Sequence, residues 1–143
     1  MSLELIPLCI ATMAPVLVAD LGATPSGRRM IVRVREAVWE GERFRAHLKE
    51  AAGAEYSMTV GADGTALMDV RLTLETDDGA LIYMEYGGRR DFSQIARGSD
   101  TPVYIAPRFE TSDERYTWLN KIQAIGKGVA VGQSRVYEIY EAR

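Results

Sequence analysis

Leu67–Tyr86 reads LMDVRLTLETDDGALIYMEY, and the parity of its side chains decides how the chain folds. Met68, Val70, Leu72 and Leu74 are apolar; Asp69, Arg71, Thr73 and Glu75 between them are polar. Strict alternation over this length marks a strand with one buried face. Asp78-Gly79 supplies a turn, because glycine accepts positive φ without a Cβ clash. The following run, rich in tyrosine and isoleucine, is the returning strand. One long β-hairpin is the backbone of the expected fold.

The flanking sequence extends it. Tyr56, Met58 and Val60 alternate with Ser57 and Thr59, and Ala62-Asp63-Gly64 closes a second hairpin. A two-residue loop there sets Thr59 opposite Met68. A three-residue loop sets Met58 opposite Met68 and Tyr56 opposite Val70. A shift of one residue turns every side chain over. The three-residue loop pairs apolar with apolar, and it places Glu55 on the face of Asp69 and Arg71. Elsewhere, extended segments are predicted near residues 5–19 and over Arg29–Arg35, Phe44–Lys49, Thr101–Phe109, Trp118–Ile125 and Arg135–Glu141. Thr24-Pro25-Ser26-Gly27 and Glu40-Gly41 read as turns, and Ser112–Arg115 as a cap with one helical turn. Asp91–Arg97 reads as a short helix or covering loop. About eight strands in a single domain, residues 1–143, predict an all-β fold, a closed antiparallel β-barrel whose closure removes exposed edges.

Bulk properties narrow the function. The chain has 143 residues, 47% of them hydrophobic, which suits one domain with a real core. A net charge of −3 argues against a nucleic-acid partner, which needs a basic face. Cys9 is the sole cysteine and His47 the sole histidine, so neither a disulfide nor a structural zinc site is expected. No metal and no cofactor motif is read; Gly126-Lys127-Gly128 lacks the strand–helix context of a phosphate loop. The apolar start lacks a basic region, carries Glu4 and is broken by Pro7 and Pro15, so no signal or membrane span is expected. A cytoplasmic location is the corresponding expectation.

Two motifs are more specific than general strand patterning: MDVRLTLETDDGALIYMEYGG at 68–88 and APRFETSDERYTWLN at 106–120. With PSGRR at 25–29 and VYEIYE at 136–141, they resemble a family of small, mostly bacterial proteins, domain of unknown function 3237. The resemblance covers nearly the whole chain. It implies a compact antiparallel β-barrel, often oligomeric, with little chemistry assigned. Glu55-Tyr56 corresponds to an acidic–aromatic pair that is usually Asp-Trp in the family. The hairpin motif lands on Asp69, Arg71 and Tyr83, and the later one on Arg108, Trp118 and Asn120.

The candidate site rests on these residues. Asp69 and Arg71 share a strand face, with Glu55 nearby. A carboxylate pair in a poorly solvated pocket can separate into acid and base. The competing reading is a solvated outer face of cross-strand ion pairs, with Met68, Val70, Leu72 and Leu74 inward. With an even-length loop at Asp78-Gly79, Tyr83 and Glu85 join the face of Leu72 and Leu74 and point inward. Ile82, Met84 and Tyr86 then make the other face apolar, which calls for a subunit partner and a homo-oligomer. Arg108, Trp118 and Asn120 around a cavity would suit a ring compound bearing a carboxylate or carbonyl; equally, the arginine stacks on an aromatic and the tryptophan is core. His47 has no readable partner, and Cys9 reads as a small buried apolar residue. The reading is a cofactor-independent acid–base enzyme of isomerase, cyclase, hydratase or lyase type. Asp69 or Glu55 is the base, Tyr83 the acid, Arg108 the anion anchor, and Trp118 and Asn120 orient a small aromatic or carbonyl substrate. The alternative is a barrel that binds such a molecule without transforming it.

Overall fold

The structure, a computed structural model, describes residues 1–50, 55–95, 98 and 100–143, with Glu55 described in its backbone only. Ten strands follow one another: β1 Leu5–Thr24, β2 Gly27–Glu40, β3 Arg45–Leu48, β4 Glu55–Val60, β5 Thr65–Thr76, β6 Leu81–Asp91, β7 Val103–Ile105, β8 Arg108–Glu110, β9 Gln123–Val131 and β10 Ser134–Ala142. Every pairing is antiparallel. The order β5-β4-β2-β1-β10-β9-β7-β6 returns to β5 through the β5–β6 pair, giving a closed ring of eight strands. β3 bridges β2 and β5 at the end opposite β4, and β8 adds to β6.

The β4–β5 hairpin has the three-residue loop: Met58 pairs with Met68, Tyr56 with Val70 and Glu55 with Arg71. Gly64 closes it with φ 83°. Asp63 Oδ1 accepts the Thr65 N–H at 2.9 Å, which fixes the turn from its own side chain. Along β5, Val70, Leu72 and Leu74 are fully buried and the residues between them face out.

The β5–β6 loop corrects one expectation. It also has three residues, Asp77-Asp78-Gly79, with Gly79 at φ 90°. The Thr76 N–H donates to the Ala80 carbonyl at 2.8 Å, and the Thr76 hydroxyl accepts the Ala80 N–H at 2.7 Å. An odd loop reverses the parity drawn from an even one. Leu72 therefore meets Met84 and Leu74 meets Ile82, while Thr73 meets Tyr83 and Arg71 meets Glu85. Ile82, Met84 and Tyr86 point into the ring, and Tyr83 and Glu85 sit half-buried on its outside. β6 thus has one apolar face, so the premise for a partner against its second face is gone.

β1 is a single strand that runs past both prolines. Its register shifts between Pro7 and Cys9 and between Met13 and Pro15. Bulges are where a residue without an N–H does least harm to a ladder. The run expected as a strand from Trp118 begins instead as a 3-10 helix, Thr117–Lys121, which buries Leu119 and precedes β9. Thr101–Phe109 divides into β7 and β8 around Ala106-Pro107. Asp91–Arg97 lies partly outside the described residues.

Trp39, Leu72, Leu74, Ile82, Met84 and Ile139 are fully buried within the ring. On β9 the inward positions include Gly126 and Gly128. Gly128 lies opposite Tyr137 and leaves room for its ring: a Cβ there would sit 2.5 Å from Tyr137 Cδ1. Gly128→Ala is therefore expected to displace Tyr137 and to destabilise the fold by about 1–3 kcal/mol, the usual range for overpacking. Urea unfolding compared with the parent chain measures it.

Candidate functional site

The described side chains among the expected site residues divide between three places. Asp69 is 67% exposed on the outside of β5, with Arg71 Nη2 at 3.5 Å. The Glu55 side chain lies outside the described residues. Tyr83, Arg108 and Asn120 do meet, in an outer groove of about 160 Å³. Tyr83 Oη donates to Glu85 Oε2 at 3.0 Å, and Arg108 Nη2 donates to Glu85 Oε1 at 2.7 Å. The Asn120 amide is engaged with Thr111 in both directions, at 2.8 and 2.9 Å. These are mostly exposed pairs, worth about 0–1 kcal/mol each. Trp118 lies elsewhere, with the Arg43 guanidinium 4.7 Å from its ring.

A different set of side chains converges inside. At one end the ring holds a half-open cavity of about 150 Å³, about the room one aromatic ring requires. Met13, Val34, Met58, Met68 and Val103 make its wall apolar. Five polar side chains enter it: Tyr56 from β4, Tyr86 and Arg90 from β6, and Arg135 and Tyr137 from β10. Strand parity puts them there. Arg90 continues the inward row Ile82, Met84, Tyr86, Gly88, and Arg135 leads the inward row Tyr137, Ile139, Glu141. The Tyr86 and Tyr137 rings lie 6.3 Å apart, and Tyr86 Oη donates to Met13 Sδ at 3.5 Å.

The electrostatics are one-sided. Arg90 Nη2 donates to Asp100 Oδ1 at 2.5 Å, and Arg90 Nε donates to the Thr101 carbonyl at 3.1 Å. Arg135 Nη1 is 3.9 Å from the same carboxylate oxygen, too far for a hydrogen bond. That nitrogen is buried and finds no hydrogen-bond partner among the described residues. Burial raises the phenols of Tyr86, Tyr137 and Tyr56 above the ordinary tyrosine range; for Tyr56 and Tyr137 the charges of Arg135 and Arg90 oppose the rise. All three are neutral hydrogen-bond donors at physiological pH. Burial, then the like charge of Arg135, pulls Arg90 down. Among the described residues no three His, Cys, Asp or Glu side chains gather as a metal site would require. No described helix is long and apolar enough to cross a membrane.

Residues 2–142 match the family described as a protein of unknown function, DUF3237. The protein belongs to that family. Solved structures agree with the DUF3237 assignment in fold. A β-barrel-like protein of Acinetobacter baumannii AYE is 30% identical, with a TM-score of 0.85 over 100% of this chain and 98% of the other. A protein of Rhodopseudomonas palustris is 22% identical, with a TM-score of 0.88 over 100% and 99%. An enzyme from Penicillium herquei, 22% identical, gives a TM-score of 0.75 over 99% and 94%. In sequence, the hydroalkoxylation enzyme phnH of Penicillium herquei is 37% identical over 68 residues, 48% of this chain and 38% of that protein. The match thus spans well under half of the relative's length.

The inner cluster left a signal that local reading passed over. Each tyrosine sits in an otherwise apolar stripe, and each arginine continues one by period-two counting. Read as stripes, Tyr86 counts as core and Arg90 as a strand end.

At the other end of the ring, Glu141 is buried and takes Arg43 Nη1 at 2.7 Å and Arg143 Nε at 2.9 Å. Hydrogen bonds from Arg143 and Arg43 hold its carboxyl below the usual glutamate range. A depressed folded pKa stabilises the fold above the ordinary glutamate value, and that contribution fades as pH falls through the lowered one. Urea unfolding between neutral and acidic pH should show wild type losing more stability than Glu141→Gln, whose amide does not titrate.

Proposed function

We propose that this protein is an acid–base enzyme whose active site is the cavity of Tyr56, Tyr86, Arg90, Arg135 and Tyr137, acting on a small one-ring compound with an acidic hydroxyl. The observation that carries the reading is the buried, unpartnered Arg135 Nη1 at a cavity lined by three neutral tyrosines. An uncompensated buried donor costs about 1–3 kcal/mol, and an incoming oxyanion recovers it.

The chemistry follows from those groups. Guanidinium beside a phenol or enol stabilises its ionised form, so the substrate hydroxyl gives its proton to water at the cavity mouth. The oxyanion is held against Arg135 and adds across a polarised carbon–carbon double bond of the same molecule. A tyrosine hydroxyl, kept protonated by burial, donates to the carbon that becomes negative, and solvent reprotonates it. One O–H and one C=C are exchanged for one C–O and one C–H, with no change of oxidation state. This is the addition that the word hydroalkoxylation denotes, and the name of phnH supports it. The reverse elimination uses the same groups.

A second reading, a carrier that holds the ring unchanged, draws on the absence from the cavity of a carboxylate free of an arginine among the described residues. Turnover separates the two. With a hydroxylated ring compound carrying a nearby alkene, Arg135→Met is expected to lower kcat/KM by about 10²–10³, the effect of losing one oxyanion donor. Tyr137→Phe should lower kcat by about 10²–10⁴ as a lost proton donor. Asp69→Asn, on the outer face, should leave both activity and stability within error. Full activity in Arg135→Met would end the reading.

A further inference from the structure

Two arginines that line the cavity from different strands approach one carboxylate behind them. Arg90 comes from β6, Arg135 from β10, and Asp100 precedes β7. Asp100 is anchored by two hydrogen bonds: Oδ1 accepts Arg90 Nη2 at 2.5 Å and Oδ2 accepts the Ala130 N–H of β9 at 3.3 Å, while Arg135 Nη1 stands 3.9 Å from Oδ1. No other carboxylate among the described residues forms an ion pair with either arginine. Two positive charges against one negative leave one unmatched.

The three groups are not equally solvated. The Arg90 and Arg135 side chains are 12% and 16% exposed, and Asp100 is 48% exposed. Water screens Asp100 on its open side, but its contact with Arg90 is direct. Arg90 is therefore the neutralised partner, and Arg135 carries the free charge towards the cavity.

Resting on the reading of this cavity as the ligand site, we infer that Asp100 sets its charge, so that it accepts a singly charged oxyanion (phenolate, enolate or carboxylate) and rejects a doubly charged one such as a phosphate monoester. The physical reason is a mismatch of scaling. Attraction to the single free positive charge grows linearly with ligand charge, whereas the cost of removing the ligand from water grows with its square. A second negative charge enters an apolar wall of methionines and valines with nothing to meet it. Asp100 is a positioning and selectivity residue in this account; it reaches the ligand only through the arginines.

Phenylphosphonate tests this, because one molecule of fixed size passes from monoanion to dianion near neutral pH. Across that interval Tyr56, Tyr86 and Tyr137, raised by burial, stay neutral. Calorimetric titration of wild type should show binding about tenfold weaker once the ligand is a dianion, the size of effect expected from one partly screened charge. Asp100→Asn and the smaller Asp100→Ser should reverse the preference, with the dianion bound about tenfold tighter than the monoanion. Wild type that binds the dianion as well as the monoanion overturns the inference without any variant. So does an unchanged preference in both variants, while the cavity reading survives if Arg135→Met abolishes binding. If wild type binds neither form, the cavity is not an oxyanion site and both readings fall.

Discussion

Two three-residue loops, each closed by a glycine at positive φ, hold β5 in register with β4 on one side and β6 on the other. Lengthening or shortening either by one residue would turn a paired strand over. Asp69, Arg71 and Glu75 would then exchange places with Val70, Leu72 and Leu74, or their partners would stop matching. Charges without partners in that interior are far costlier than any turn preference. At Ala62-Asp63-Gly64 the turn chemistry and the alternation of β5 ask for the same pairing, and such agreement is what makes a sequence foldable. The ring closes through this strand, so its parity propagates to every wall residue.

The interior is not uniform along the axis. Its middle is packed solid by Trp39, Leu72, Met84 and Ile139. The end near Arg43 is plugged by the 3-10 helix, by Phe44 against Phe109 edge to face at 6.1 Å, and by Glu141 between two arginines. Toward the opposite end, inward rows finish in tyrosines and arginines that line the cavity. Tyrosine rings and arginine stems lie against the apolar wall while their polar ends reach the cavity, as amphipathic side chains do wherever core gives way to water. Burial keeps the phenols neutral, and Arg135 Nη1 stands among them without a hydrogen-bond partner. The site is a consequence of where the packing stops.

Membership of the DUF3237 family accounts for the architecture, and folds of this kind do not by themselves specify a reaction. What points toward chemistry is local: a buried guanidinium nitrogen without a partner, neutral donors around it, and a volume of one ring. The outer groove of Tyr83, Glu85 and Arg108 lacks that quality, because each of its polar atoms is already engaged or bathed in solvent.

Alternation, turn residues and the odd loop at Ala62-Asp63-Gly64 were sufficient, read along the chain, to determine the all-β class, the main hairpins and the β4–β5 register. The same local rules failed where the pattern was equivocal: at Asp77-Asp78-Gly79, whose loop length decides the facing of Tyr83, and at Trp118, where strand and 3-10 turn compete. The cavity was beyond such rules. Arg90 and Arg135 come within 4 Å of one Asp100 oxygen only because β6, β7, β9 and β10 lie side by side in a closed ring. Periodicity tells which side of its own strand a residue faces, but the identity of its neighbours across the hollow is set by closure, which is a property of all the strands at once.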